Sequence, residues 1–273
     1  MTPSHMTPSQ TTPSQNPPPP PTGLTSSEPF VSAHGRSLAV VSLFVAYIVV
    51  TVMATAVNLM RMAAPDVVIA EDVEQGRLTL AELLQFLVAI PTIFIYLALV
   101  VAFLIWLHRV AKNLPALGNA KSRIEYTPGW AVGSFFIPFA NLFMPYKGVK
   151  EVWEKSDPAV RTEEDFMFAP PSSAPSLLVG WWLTWLAHNI LSNAVMRLQN
   201  RAGAGGEESF VIVLDIVSDA FGIIAAALAV LVVRGIDKRQ LERSRNVNYV
   251  SRLAPPPPLF TQPPPPPTFS TPT

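Results

Sequence analysis

The chain has no cysteine, which excludes disulfides, thiolate metal sites and a cysteine nucleophile and leaves the redox compartment undetermined. Charge is scarce as well. Only 14% of the 273 residues are charged, against roughly 25% in soluble domains. Lysine plus arginine balance aspartate plus glutamate at 19 each, so no overall field points to nucleic acid or an acidic partner. Catalytic spacing is missing too. The four histidines, His5, His34, His108 and His188, are scattered without metal-ligand spacing. No GxSxG, HExxH or phosphate-cradling glycine loop occurs, so nucleophilic, zinc and nucleotide chemistry lack support. The residues imply no cofactor and no enzyme.

What the chain has is apolar length. Hydrophobic residues make up 49% of it, and they come in long blocks rather than periodic stripes, as in membrane proteins. The first block, 37–60, runs 24 residues without a charge, and about 20 suffice to cross a hydrocarbon core of ~30 Å. It is too long for a signal-peptide core and follows a long proline-rich leader, so no cleaved signal is expected. A second span is predicted at about 83–107. Thr79 followed by Glu82 fits a capping box at its start, and Pro91 inside it predicts a kink. A third is predicted at about 176–199, where Trp181, Trp182 and Trp185 read as an interfacial aromatic belt. The last, about 210–233, sets Gly222 with Ala226 and Ala225 with Ala229 at a spacing that lets helices approach closely.

Between the second and third spans lies Tyr126–Pro158, which is apolar but broken by Pro138, Asn141 and Pro145. Thr127 and Pro128 read as N-cap and first helical position. Residues 147–157 place Val149, Val152 and Trp153 on one face, with helix pairs Lys147 to Glu151 and Glu151 to Lys155, as expected of a short interfacial helix. Charge placement decides whether 130–146 crosses. The acidic connection after the first span carries only Arg61 and Arg77, and 200–209 only Arg201. The 108–129 connection holds Arg109, Lys112, Lys121 and Arg123, 147–175 is equally basic, and Arg234, Lys238, Arg239, Arg243, Arg245 and Arg252 follow the last span. All the basic regions fall on one side if 127–157 is a re-entrant or interfacial element. The expected fold is therefore an all-α integral membrane protein, with four transmembrane helices, one proline-broken element and both ends cytoplasmic. Residues 1–36 and 241–273, the second basic and then proline-rich, read as disordered tails.

The run TPGWAVGSFFIPFANLFMPYKGVKEVWEKSDP resembles the signature of a bacterial multi-pass membrane family catalogued as domain of unknown function 4328 (DUF4328). Trp130, Pro138, Asn141, Pro145, Tyr146, Trp153 and Ser156 carry the resemblance, and HRVAKNLPALG with Tyr126 is similar to the family's approach to it. The resemblance covers about 80–240. It implies a bacterial inner-membrane setting and brings no activity.

Ionisable groups inside spans are functional candidates by default. His188, Asp215 and Asp219 qualify. Depth arithmetic at ~1.5 Å per residue places His188 level with Asp219 and Asn193 level with Asp215, so two rungs are expected between the last two spans. Such a seam either handles protons or cations or fixes helix packing through hydrogen bonds. Asn141 either aims a polar group at a ligand, as discontinuous helices do, or satisfies its own broken backbone. The functional expectation is a membrane-embedded scaffold or interaction protein. Its partners would be the lipid bilayer, proteins that dock on the proline-rich tails, and a second copy of the chain. The alternative is a small channel or transporter component that uses the seam.

Overall fold

A computed structural model describes residues 29–64, 68–72, 76–159, 175–200 and 208–253. Most of the two expected proline-rich tails lies outside these described residues. Four long helices make the frame: α1 (His34–Ala63), α2 (Leu80–Lys112), α5 (Pro175–Gln199) and α6 (Glu208–Leu253). Two short helices, α3 (Pro128–Gly133) and α4 (Met144–Lys155), lie between α2 and α5. α1 packs against α2, α5 against α6, and α1 also lies along α6. The last pairing is antiparallel. His34 near the start of α1 meets Asp237 at 2.7 Å, and Asn58 near its end meets Asp215 at 2.9 Å.

Three helices, α1, α2 and the 209–247 part of α6, are long and apolar enough to cross a membrane. Their outward surfaces agree. Phe86, Ile90, Phe94, Leu97, Val101 and Ile105 form an exposed apolar stripe on α2, while Leu99, Phe103, Trp106, Leu107 and Val110 are buried. An apolar stripe of that length needs lipid against it rather than water. The start of α2 follows its sequence signal. Thr79 Oγ1 accepts from Glu82 N at 3.2 Å and Thr79 N donates to Glu82 Oε2 at 2.8 Å, so both halves of the capping box are made. The helix continues through Pro91.

Three features depart from the sequence reading. A small hairpin precedes α2: β1 (Val68–Asp72) pairs antiparallel with β2 (Gly76–Thr79), Val68 opposite Thr79 and Asp72 opposite Gly76. Acidic residues and glycine are poor strand formers, which hid it. Second, the expected disordered segment from 241 is helical as far as Leu253. A helix of 46 residues is ~69 Å long, over twice the hydrocarbon core, so α6 projects well past the predicted span 210–233. Third, Trp181 and Trp182 are buried rather than forming a lipid-facing belt. Trp182 stacks on Trp185 at 4.6 Å, and Phe135 meets both edge-on at 6.5 Å. The broken stretch before α4 covers this face of α5, which a reading of α5 alone does not show.

Candidate functional site

The broken stretch folds back on itself. Thr127 Oγ1 accepts from Trp130 N at 3.3 Å and Pro128 opens α3, as the sequence predicts. A single turn, Ser134–Phe136, follows. Then Phe139 takes φ 65° and ψ −44°, and Ala140 N donates to Pro138 O at 2.8 Å. That bond across one residue with positive φ is a γ-turn of the rare, strained kind. The chain then re-enters helix as α4. A β-carbon added at Gly148 would lie 3.7 Å from Ala131 Cα and 3.7 Å from the Tyr126 ring. The two arms therefore lie against each other, with Phe136, Phe139 and Phe143 exposed at the tip.

The signature residues separate into distinct roles. Val149, Val152 and Trp153 face inward from α4, as the spacing predicts, and Pro145 and Ser156 are buried. Tyr146 packs against the core, whereas Trp130 is half exposed and Pro138 exposed. Asn141 lines a cavity within the bundle, and its Oδ1 is buried without a hydrogen-bond partner. Of the two helix pairs expected, Glu151 to Lys155 forms at 3.2 Å. Glu151 also accepts from the backbone N of Glu125 and Tyr126 at 2.8 and 2.9 Å. Burial, then the charges of Glu125 and Glu151, push the Tyr126 hydroxyl above its ordinary pKa.

Beyond the predicted span 210–233, α6 is held by a buried polar network. Gln240 Nε2 donates to Val110 O at 2.9 Å and to Ser156 Oγ at 3.1 Å, while its Oε1 accepts from Asn113 at 3.1 Å. Arg243 donates to Leu117 O at 2.8 Å and Asp157 O at 2.7 Å. Arg239 pairs with Asp157 at 3.1 Å and stands 4.4 Å over the Trp153 ring. Ser156 and Trp153 were legible as signature residues; Gln240 and Arg243 were not. Their signal is the helical spacing Ile236, Gln240, Arg243, which continues one face past the last span.

The candidate seam residues come together differently from the expected rungs. Asp219 Oδ2 accepts from Thr55 Oγ1 at 2.9 Å and Asp215 Oδ2 accepts from Asn58 Nδ2 at 2.9 Å. His188 is bonded through Nε2 to the Tyr47 hydroxyl at 3.2 Å and through Nδ1 to Ser218 O at 2.9 Å. Asn193 is exposed and donates to Asn189 O of its own helix at 2.7 Å. The pairs His188–Asp219 and Asn193–Asp215 are thus replaced. His188 does reach the turn that holds Asp219, through Ser218 O, but α1 and not α5 faces the two carboxyls. Tyr47, Thr51, Thr55 and Asn58, spaced by three or four, are one polar stripe on an otherwise apolar helix. A carbonyl only accepts, so a neutral His188 carries its proton on Nδ1 toward Ser218 and accepts the Tyr47 proton on Nε2. Gly222 permits this approach. A β-carbon there would lie 3.0 Å from His188 Nδ1 and 3.2 Å from the Tyr47 hydroxyl.

These features define a helical protein with three helices long and apolar enough to cross a membrane, a backbone-broken element and a polar seam. Residues 70–238, more than half of the chain, match the family described as Domain of unknown function (DUF4328), and the chain belongs to that family. No curated protein and no solved structure matches it.

Proposed function

We propose that the protein is a membrane-embedded scaffold that organises protein partners at the cytoplasmic face of a bacterial inner membrane. In this reading α1, α2, α5 and α6 all cross, both ends are cytoplasmic, and Tyr126–Pro158 enters and leaves on the same side. The back-to-back packing of α3 and α4 supports the last point. The chain acts by binding rather than by catalysis. The observation that carries the reading is the Gln240–Arg243 network, which fixes the ends of α2, α4 and the α6 projection into one platform. A buried network of this kind rigidifies what it joins when every member is satisfied. The platform carries the C-terminal proline-rich tail, and the leader attaches close by at His34, which bonds Asp237 of α6. Crosslinking with mass spectrometry in native membranes tests this, comparing the full chain with one lacking 1–28 and 254–273. Partners lost on deletion support the scaffold; the same partners retained without either tail sink it.

A second reading rests on a different observation. Two carboxyls and a histidine follow one another along the contact of α1, α5 and α6, each bonded to an uncharged partner. A channel or transporter component would use such a row for protons or cations. Flux through liposomes containing the native chain, abolished by Asp219→Asn with assembly intact, would establish this reading over the scaffold.

A further inference from the structure

We propose that the cavity beside His188 is a binding site for an uncharged, lipid-soluble amphiphile: a flat apolar body bearing a hydroxyl. The cavity measures about 290 Å³, at the lower end of the ~300–1,000 Å³ usual for small-molecule sites. Its walls are aromatic, with Phe103, Phe135, Trp181 and Trp185 among them. Rings at right angles and in stacks offer both edges and faces to a flat guest. Among the described residues no aspartate, glutamate, lysine or arginine lines it, and an ionised guest would lose its hydration there.

The unused polar atoms specify the head. Both nitrogens of His188 are engaged, by Tyr47 and Ser218. Asn189 donates its amide to Trp185 O at 2.8 Å, which leaves its Oδ1 as an acceptor. Asn141 Oδ1 is buried and has no partner. A buried acceptor without a donor is costly to leave unmet. Asn141 Oδ1 and Asn189 Oδ1 are acceptors and Asn141 Nδ2 is a donor, and a hydroxyl, which both donates and accepts, meets such a set without charge. Exposed Val100 and Phe136 lie among the lining residues on the apolar outer surface, so entry is from lipid. Asn141 itself sits in the γ-turned element, two residues after the strained Phe139. The break in that element therefore serves to carry a polar group to the cavity wall.

The test uses the full chain in phosphatidylcholine nanodiscs, with a bromonaphthol as probe and its methyl ether as control. Bromine quenches nearby tryptophan fluorescence. Saturable quenching is expected, and it should fall sharply when Trp181 and Trp185 are both replaced by phenylalanine. The ether, which cannot donate, should bind about fivefold more weakly, the worth of one hydrogen bond. Asn141→Leu should erase that difference between phenol and ether, and Val100→Phe, at the mouth, should weaken both. The second variant keeps the test decisive if the first does not fold. Quenching that rises linearly with probe in the membrane overturns the site, as does equal binding of phenol and ether by the native chain. A third arm places bromine on the lipid acyl chains. If these quench Trp181 and Trp185 and bromonaphthol does not displace them, the cavity is an acyl-chain niche and the proposal fails.

Discussion

Trp153 and Gly235 meet edge to backbone across α4 and α6. A β-carbon at position 235 would lie 2.5 Å from both Cη2 and Cζ3 of the indole. The ring cannot retreat easily, since it is buried and carries the Arg239 guanidinium 4.4 Å over its face. Glycine at 235 is therefore a packing requirement, and it sits just past the predicted span 210–233.

Gly235→Ala should destabilise the protein despite alanine's better helix propensity. Propensity favours alanine by about 1 kcal/mol, whereas overpacking of this kind costs about 1–3 kcal/mol. In a Trp153→Leu background the clash disappears and the same substitution should become neutral or stabilising. Thermal unfolding of the four chains in detergent measures this reversal of sign. A higher Tm for Gly235→Ala alone would refute the contact.

The bond between Asn58 and Asp215 can be sized by a double-mutant cycle with leucine at each position. Interhelical hydrogen bonds in membranes average about 0.6 kcal/mol, so coupling near that value is expected for the pair. Asn193 with Asp215 should show none, because Asn193 bonds within its own helix. Coupling of Asn193 to Asp215 would restore the rung that depth alone suggested.

Phe139 gives a test of backbone strain. Its φ of 65° is the one positive value at a non-glycine among the described residues, and such conformations cost of the order of 1–3 kcal/mol. Phe139→Gly and Phe139→Ala both remove the exposed ring, so their difference isolates the backbone. Glycine ordinarily costs about 0.5–1 kcal/mol relative to alanine in regular structure; here it should be the more stable of the two, by about 1 kcal/mol. A denaturation midpoint lower for glycine than for alanine would show that the turn is not held as described.

These comparisons show which kinds of information the sequence carries. Local chemistry was legible: Thr79 with Glu82 and Thr127 with Pro128 start α2 and α3 because capping depends on neighbours in the chain. The inward face of α4 was legible from the spacing of Val149, Val152 and Trp153. Lateral partners were not. Residue counting sets the depth of Asp215 and Asp219 but not their azimuth, and only the polar stripe from Tyr47 to Asn58 points to α1. The burial of Trp181 and Trp182 was hidden for the same reason, since Trp181 meets Phe103 of α2 and Trp182 meets Phe135, from a segment with no regular helix of its own. The projection of α6 was hidden because its stability comes from Gln240 and Arg243, whose acceptors are carbonyls of Val110, Leu117 and Asp157 that no side-chain pattern reveals.

The absence of native cysteine makes topology directly measurable with single-cysteine variants. Lys150 lies on α4, with its side chain 41% exposed, and Met62 lies at the far end of α1, also exposed. With an impermeant maleimide, Lys150→Cys should react in inverted membrane vesicles and Met62→Cys in right-side-out ones. Phe139→Cys should resist the reagent from both sides, because the tip of the broken element is apolar and would lie in lipid. Reaction of Lys150→Cys only from the outside would require 130–146 to cross, and the scaffold platform would then be divided between the two faces. Reaction from the cytoplasmic side alone, with Phe139→Cys silent, leaves one arrangement: α3 and α4 descend into and return from the same leaflet, and Asn141 is carried to the cavity by the turn between them.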